Sequence, residues 1–478
     1  MKHKKNIDKK DFFLQEICQK LLQRIKQVFV VCLVLGLSSC SDFVEIDPPK
    51  NTLIAETVFE DEATVESALA NLYYKMREDG MSSERIGLSP LLGAYCDDLD
   101  YYLSSAFFID MYTHSIVASN NTVLEWWTYA YNIIYGANDI IKGLDNSESL
   151  SQNIKDNFKG QALFVRAYMH SLLVNIYGDV PYIKSISYIE NNTITKTNVD
   201  EVYVKIIEDL NLAISMLSDV DSSGENVIPN KSVANALLAR MYLYTEKWTL
   251  AEQTASKLIS SYTLEQDVSK VFLKGSPETI WQFKPDVYPQ NNSLVASLFI
   301  IQRIPGQSFA LTNSLLASFE PNDLRQSNWT SNITSDDGLT TLHFPYKYKE
   351  TFNTTNLSLE YSILFRLAEQ YLIRAEARAN LSNIAGAQQD LNTIRNRAGL
   401  GNTSATNTND LIEAILQERR VELFTEQGHR WFDLKRLGKA KQVISPIKPG
   451  WNDSNLLFPI PENELILNPN LKPQNTGY

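Results

Sequence analysis

Cys40 is the residue whose position most directly indicates covalent chemistry. It ends the tetrapeptide LSSC and follows an apolar run of ten residues, 28–37. A basic stretch, a short apolar run and small residues before a cleavage point are typical of a secretory signal, whereas a helix across a bilayer needs about 20 apolar residues. A cysteine at the first mature position predicts bacterial lipoprotein processing, and the alternative is an ordinary signal peptide. We therefore expect residues 1–39 to be removed and the mature chain to be held at a membrane by lipid on Cys40.

The charge of the remaining chain argues against nucleic acid as a partner. Residues 1–39 hold 8 of the 44 basic and 3 of the 56 acidic side chains, so residues 40–478 carry 36 basic and 53 acidic groups, a net charge of −17. This balance repels phosphate, and no basic patch interleaved with aromatic residues compensates for it. These 439 residues also exceed the usual size of a single hydrophobic core, which predicts two lobes or an extended helical array.

Residue patterns that carry catalysis are missing from the sequence. It has no HExxH or CxxC motif, no nucleophile elbow and no phosphate-binding glycine loop. With Cys40 acylated, Cys96 is left without a disulfide partner and is expected to be a buried, inert thiol. The acidic run 97–100 offers oxygen ligands for calcium, but its spacing matches no known calcium loop, so we predict neither a metal nor a cofactor. The five histidines are scattered: His3, His114, His170, His343 and His429.

The densest charged segment is 418–438, and it allows two interpretations. In the first, Glu422, Glu426 and Asp433 act as acid–base groups. In the second, the glutamates at 418, 422 and 426 share one face of a helix and pair with neighbouring arginines in a buried or half-buried ion network. We favour the second interpretation, because ion pairs that lock helices together need this composition.

Apolar residues at spacings of three and four predict a mostly α-helical chain. Two helix pairs, within 232–260 and 361–397, combine small alanines with aromatic side chains, as in tetratricopeptide-like hairpins. The sequence TIWQF at 279–283 alternates like a short strand. We thus expect tetratricopeptide-like helical hairpins as a scaffold, with long irregular loops and a few short strands. The predicted helices are 60–77, 123–144, 154–177, 199–217, 232–244, 249–260, 361–381, 384–397 and 409–437.

Separate motifs are spread over the whole mature chain. In order, they are Cys40, the helical segment 59–74, Trp127 with Tyr131, the segment 160–181, RLAE at 366–369, RAEA at 374–377, NTIRNRAG at 392–399, the segment 415–438, and FPIPENEL, NPNL and QNTGY between 458 and 478. In this order they resemble the SusD/RagB family of outer-membrane nutrient-binding lipoproteins.

The resemblance implies a mostly α fold with four tetratricopeptide-like hairpins. It divides the chain into a signal peptide at 1–39, an N-terminal region at 40–275 with such helices and a ligand loop, and a C-terminal region at 276–478. It implies a lipid-anchored protein on the outer membrane, facing the exterior. It also implies a partner, a SusC-like TonB-dependent barrel, which the lipoprotein covers as a lid. The expected role is non-catalytic binding and delivery of oligosaccharides; the alternatives are peptides as ligand or, in another class, a surface glycoside hydrolase.

Two loops have the composition that sugar binding requires. They are the first loop, 95–115, and the second loop, 284–310, in which aromatic and polar side chains are mixed with little periodicity. Sugar C–H faces pack on aromatic rings, and sugar hydroxyls bond to carboxylate, amide and guanidinium groups. The resemblance also implies that ligand contacts come largely from these two regions. The candidate ligand-binding residues are Asp97, Asp98, Asp100, Tyr101, Tyr102, Phe108, Tyr288 and Arg303.

Overall fold

The computed structural model describes residues 58–285, 291–351 and 357–478, apart from the side chains of Ala106 and Phe107. These residues are mostly helical, which confirms the predicted fold class. The helices are α1 (Glu62–Glu78), α2 (Leu88–Tyr95), α3 (Ala106–Thr113), α4 (Asn121–Asn146), α5 (Gln152–Tyr177), α6 (Tyr188–Asn191), α7 (Val199–Met216), α8 (Lys231–Tyr244), α9 (Trp248–Ser261), α10 (Val295–Phe299), α11 (Asn313–Leu316), α12 (Leu324–Trp329), α13 (Leu367–Asn380), α14 (Ile384–Arg397), α15 (Thr408–Leu423), α16 (His429–Arg436), α17 (Ala440–Ile444) and α18 (Glu462–Leu467). The strands are β1 (Leu99–Tyr101), β2 (Thr279–Phe283), β3 (Phe309–Leu311), β4 (Thr330–Thr334), β5 (Thr341–Pro345) and β6 (Ser362–Arg366). They pair as β1 with β3, β2 with β6 and β4 with β5, all antiparallel.

Both helix pairs that the sequence predicts form hairpins with three-residue connections, between α8 and α9 and between α13 and α14. Alanines are buried in each pair, among them Ala251 and Ala255 in the first and Ala375 and Ala387 in the second. Because alanine carries a single methyl group, the two helices of a pair approach closely. Helix α9 also contacts α13, so the two hairpins pack on one another in a tetratricopeptide-like scaffold.

Two 26-residue helices, α4 and α5, form the centre of the N-terminal half. Helix α5 contacts both α4 and α7, and it is buried on nearly all sides. On that helix, Arg166 donates through Nε and Nη2 to the two carboxylate oxygens of Asp209 on α7, both at 2.7 Å. Within residues 58–285, 291–351 and 357–478, no helix combines the length and the apolar run that crossing a bilayer would demand.

The structure departs from the predicted elements in several places, among them three segments. The predicted helix 361–381 begins as strand β6, whose five residues are all buried. A fully buried strand is a continuous apolar run, and periodicity cannot separate it from a helix. The first loop, predicted to be irregular, contains β1 and α3. The predicted helix 409–437 is two helices, because α15 ends at Leu423 and α16 begins after Gly428.

Gly428 is required by the break between α15 and α16, and its replacement by alanine is expected to destabilise the fold. Its φ is +73°, and a Cβ there would lie 2.5 Å from Cδ1 of Leu92 on α2. Backbone strain and overpacking together predict a loss of about 2–4 kcal/mol in the free energy of unfolding for Gly428→Ala. Urea unfolding measures this change. Gly338→Ala is the control, since that glycine also has a positive φ, +71°, but no atom within 4 Å. Equal losses in the two variants would contradict the packing argument.

Buried histidines are expected to make the fold sensitive to mild acid. Burial lowers the pKa of His114 to about 4 and that of His170 to about 3. Both therefore stay neutral in the folded chain while the unfolded chain takes up protons below about pH 6.5. Their contribution to stability is complete above pH 6.5 and is lost as the pH falls toward 4, by about 1.4 kcal/mol per pH unit for each histidine. Urea unfolding of the wild type and of His170→Gln at pH 6.5, 5.5 and 4.5 tests this through the difference between the two proteins, because buried carboxyls with a raised pKa, such as Asp98 at about 6, act in the opposite direction in both. The same pH dependence in the two proteins would refute it.

Candidate ligand-binding site

The first and second loops meet in a short antiparallel sheet. Strand β1 of the first loop pairs with β3, which begins at the end of the second loop. The register places Tyr101 opposite Phe309. The backbone N–H of Tyr102 continues the ladder by donating to the carbonyl of Ser308 at 3.0 Å. The two segments that composition selected independently are therefore neighbours in space.

An aromatic cluster fills the inner side of this sheet. The Tyr101 ring lies 5.4 Å from Phe108 and 5.3 Å from Phe309, between ring centroids. Phe108 meets Phe309 edge to face at 5.5 Å, and Phe299 meets Phe309 at 5.9 Å. Such tilted and edge-to-face pairs are the favoured arrangement of aromatic rings. These rings form a packed apolar layer against the sheet.

Polar and exposed side chains border the cluster. Tyr102 and Leu103 are both 45% exposed. The half-buried Asp100 carboxylate accepts a hydrogen bond from the Tyr112 hydroxyl at 3.1 Å. Burial, together with the charge of Asp100, raises the pKa of Tyr112 to about 12, so the hydroxyl stays protonated as a donor. The Tyr101 hydroxyl is buried and has no hydrogen-bond partner among the described residues.

Two cationic groups belong to the same region. Arg303 of the second loop is exposed, and its side chain folds over the following turn, since a Cβ at Gly306 would lie 3.0 Å from its Nε. Lys448 donates to the carbonyl of Ala94 at 2.9 Å and holds its ammonium 3.5 Å from the centroid of the Tyr112 ring. Burial lowers the pKa of Lys448 to about 8. Lys448 therefore supports the cluster from inside, whereas Arg303 is available to a ligand.

Asp97 and Asp98 are placed differently from the other candidates, because both are buried, at 2% and 1% exposure. Arg430 binds Asp97 through Nε and Nη2 at 2.8 and 2.9 Å, and Arg420 approaches the same carboxylate at 2.8 Å. Burial alone would raise the pKa of Asp97, but these arginines lower it. For Asp98, burial prevails and raises the pKa to about 6. Neither carboxylate is accessible to a ligand in this structure, and both act within the protein.

Cys96 is buried, as the sequence predicted, and burial raises the pKa of its thiol well above the ordinary value. Its sulfur and the carboxylates of Asp97 and Asp98 lie within 4.8 Å of one another, close enough to share an ion. Arg420 and Arg430 already pair with the Asp97 carboxylate, and Arg420 lies 3.5 Å from an oxygen of Asp98.

The structure thus groups four of the eight predicted ligand residues, Asp100, Tyr101, Tyr102 and Phe108, around β1, with Arg303 on the segment that leads into β3. Tyr288, and the predicted lipidation site Cys40, lie outside the described residues. Sequence reasoning did not single out three members of the aromatic cluster and its border: Tyr112, Phe299 and Phe309. All three lie within the two loops, so the aromatic content of those loops was the signal that pointed to them.

The charged segment 418–438 forms a buried ion network, which confirms that part of the favoured interpretation. The shared helix face is wrong for Glu426, which lies beyond the end of α15 at Leu423, and the arginines that pair with Glu422 and Glu426 come from other parts of the chain. Glu422 is fully buried and pairs with Arg325 at 2.9 Å, with Arg366 at 2.5 Å and with Arg397. Glu426 pairs with Arg366 at 2.8 Å. These arginines overcome burial and lower the pKa of both glutamates.

Asp433, the third candidate acid–base group, is also paired with arginines. Asp433 is buried and pairs with Arg419 at 2.6 Å and Arg436 at 2.9 Å, and these charges outweigh burial and lower its pKa. A carboxylate that is buried, ionised and saturated with arginine contacts has no free oxygen to offer a substrate. The structure therefore assigns the charged residues of this segment to the architecture of the fold.

Comparisons with known proteins agree with this architecture. Residues 42–243 match a family described as starch-binding and associating with the outer membrane, and residues 317–478 match the SusD family. SusD-like protein P2 of Formosa agariphila is 29% identical over 521 aligned positions, which span 96% of this chain and all of that protein. A SusD superfamily protein from Bacteroides vulgatus superposes with a TM-score of 0.77 at 21% identity, over 88% of this chain and all of that one. A laminarin-binding SusD-like protein gives 0.74 at 22%, with the same coverage. The chain belongs to the SusD/RagB family.

Proposed function

We propose that this protein is a surface-exposed, lipid-anchored outer-membrane protein that binds oligosaccharides and delivers them, without catalysis, to a SusC-like TonB-dependent transporter, for which it is the lid. The observation that carries this proposal is the meeting of the two loops at β1 and β3, where aromatic rings lie beside an exposed tyrosine and a half-buried carboxylate. Membership in a glycan-binding family associated with the outer membrane supports the ligand class and the location.

Short oligosaccharides are the ligand that the site fits best. Four tryptophans are fully buried, Trp126, Trp281, Trp329 and Trp431, and none of the four can form a stacking surface for a long glycan. Among the described side chains of the two loops, Tyr102 is the most exposed aromatic one, and it offers one face rather than a platform. A laminarin-binding relative of the same fold favours a glucan fragment. A short peptide is the second candidate, because an isolated tyrosine with Asp100 and Arg303 beside it also suits peptide side chains and termini.

Calorimetry on the soluble chain from Ser41 onward, against a panel of oligosaccharides that includes laminarin fragments and a panel of peptides, tests the proposal. Saturable binding of one glycan class without release of products would support it. Binding of peptides alone would keep the uptake role and change the ligand. Release of cleaved products from a polysaccharide would identify a surface hydrolase instead. Co-purification of the full-length chain with a TonB-dependent barrel tests the partner separately.

Membrane attachment through Cys40 gives a direct prediction. Serine at this position has no thiol to acylate, so Cys40→Ser is expected to move the protein from the membrane fraction to the soluble fraction. Fractionation of cells followed by immunodetection measures this. Cys96→Ser is the control, since Cys96 is buried in the folded part of the chain, and it should remain with membranes. A Cys40→Ser protein that stays in the membrane fraction would refute lipidation at this residue.

A further inference from the structure

Arg420 is a buried residue of α15 whose guanidinium contacts both the first loop and the segment that follows β3. Its Nη2 donates to the backbone carbonyl of Asp97, two residues before β1, at 3.1 Å. The same nitrogen donates to Oγ of Ser314 at 3.0 Å, and Nη1 donates to Oγ of Ser318 at 2.8 Å. Both serines follow β3 in the chain, on and just after α11. One planar cation therefore joins the residue that precedes one strand of the site to the segment that follows the other.

Arg430 on α16 also binds Asp97, from a second helix. It forms a two-pronged pair with the Asp97 carboxylate, at 2.8 and 2.9 Å, and Arg420 adds a third contact to that carboxylate at 2.8 Å. Arg420 also lies 3.5 Å from a carboxylate oxygen of Asp98. Buried, bidentate arginine–carboxylate pairs fix geometry more strictly than a single contact does.

Hydrogen bonds from Thr312 connect Asp97 and Asp98 to the sheet. Thr312 donates through Oγ1 to the carbonyl of Asp97 at 2.6 Å and through its N–H to the carbonyl of Asp98 at 3.0 Å. The β1–β3 ladder starts at the next pair, Leu99 with Leu311. The position of Asp97 therefore determines which residues of the two strands face one another, and so where Tyr101 and Tyr102 stand.

We infer that Arg420, assisted by Arg430, is a positioning residue for the ligand site: it holds the start of β1 against the end of β3 and so preorganises the aromatic cluster. The expected effect on ligand affinity rests on the proposed function, whereas the structural role of Arg420 in joining the two strands does not. Neither arginine is expected to touch the ligand, because both are largely buried and both already pair with the Asp97 carboxylate. Preorganised sites bind more tightly because less order has to be imposed on binding.

Arg420→Lys tests this, because lysine keeps the charge but cannot make the forked contacts. The matched control is Arg240→Lys. Arg240 is similarly buried and pairs with Glu369 at 2.7 and 2.8 Å, but it joins α8 to α13 in the helical scaffold. Hydrogen exchange of the wild-type and variant chains, followed for the Tyr102 and Thr312 amides, needs no ligand. We expect about tenfold faster exchange at both amides in Arg420→Lys and wild-type rates there in Arg240→Lys.

Binding of laminarin fragments by calorimetry is the second measurement. Arg420→Lys should weaken affinity about tenfold, while Arg240→Lys should stay within about twofold of wild type. If Arg420→Lys does not fold, the double variant Ser314→Ala with Ser318→Ala replaces it; it removes two contacts of Arg420, keeps the charge pair and should raise the same exchange rates. Unchanged exchange at both amides overturns the inference, and so does faster exchange with unchanged affinity. If the wild-type chain binds neither glycans nor peptides, the proposed function fails, while the exchange result still decides whether Arg420 holds the two strands.

Discussion

Glu422→Ala is expected to lower the free energy of unfolding by about 3–5 kcal/mol, because it removes the carboxylate shared by three buried arginines. Arg325, Arg366 and Arg397 each contact Glu422, and the glutamate has no exposed surface. Without it, positive charge remains in a site that water does not reach. Since domains are stable by only about 5–15 kcal/mol in total, a loss of this size removes a large part of the stability of the fold.

Guanidinium unfolding at pH 7 measures the loss. Glu422→Gln keeps the size of the side chain and removes only its charge, so it should fall between the wild type and Glu422→Ala. Lys441→Ala is the control: Lys441 and Asp453 form an ion pair at 2.7 Å, but their side chains are 69% and 62% exposed. Exposed pairs contribute little, about 0–1 kcal/mol. A Glu422→Ala variant as stable as Lys441→Ala would contradict a supporting role for the network.

Tyr102→Ala with Arg303→Ala is expected to weaken ligand binding by a factor of ten or more without unfolding the protein. Both side chains are exposed, so their loss removes contact area and a cationic donor at the site but little from the core. Calorimetry with the best ligand of the panel measures affinity, and thermal unfolding verifies the fold. Tyr135→Ala is the matched control, since this tyrosine on α4 is 48% exposed and lies on neither loop. Unchanged affinity in the double variant would place the site elsewhere.

Tyr101 requires a milder change than alanine. Its ring is 7% exposed and contacts Phe108 and Phe309, so alanine would leave a cavity in the aromatic cluster. Tyr101→Phe removes only the hydroxyl that lacks a partner. A drop in affinity with unchanged stability would assign that hydroxyl to the ligand.

Local sequence patterns were sufficient to predict the long helices of the scaffold. The predicted helix 384–397 coincides with α14, and 154–177 differs from α5 by two residues at its start. Both have apolar residues at helical spacing and lack the internal turn signals that would end a helix. The signal was ambiguous at β6, where a strand buried on both faces shows no alternation. The pairing of β6 with β2, across about 80 residues of chain, supplies the hydrogen bonds that decide between the two conformations.

The sequence by itself determined the class of this protein: a chain with a helical scaffold and the motifs of the SusD/RagB family. The lipoprotein signal and the ligand loops that it indicates stay predictions. Tertiary structure alone decided the role of each polar residue in those loops. Asp97, Asp98 and Asp100 are nearly adjacent and alike in chemistry. Asp97 and Asp98 are nevertheless buried beside Arg420, whereas Asp100 borders the aromatic cluster. The physical reason is that a carboxylate's role depends on its burial and on the charges brought to it, and Arg420 and Arg430 come from more than 300 residues further along the chain.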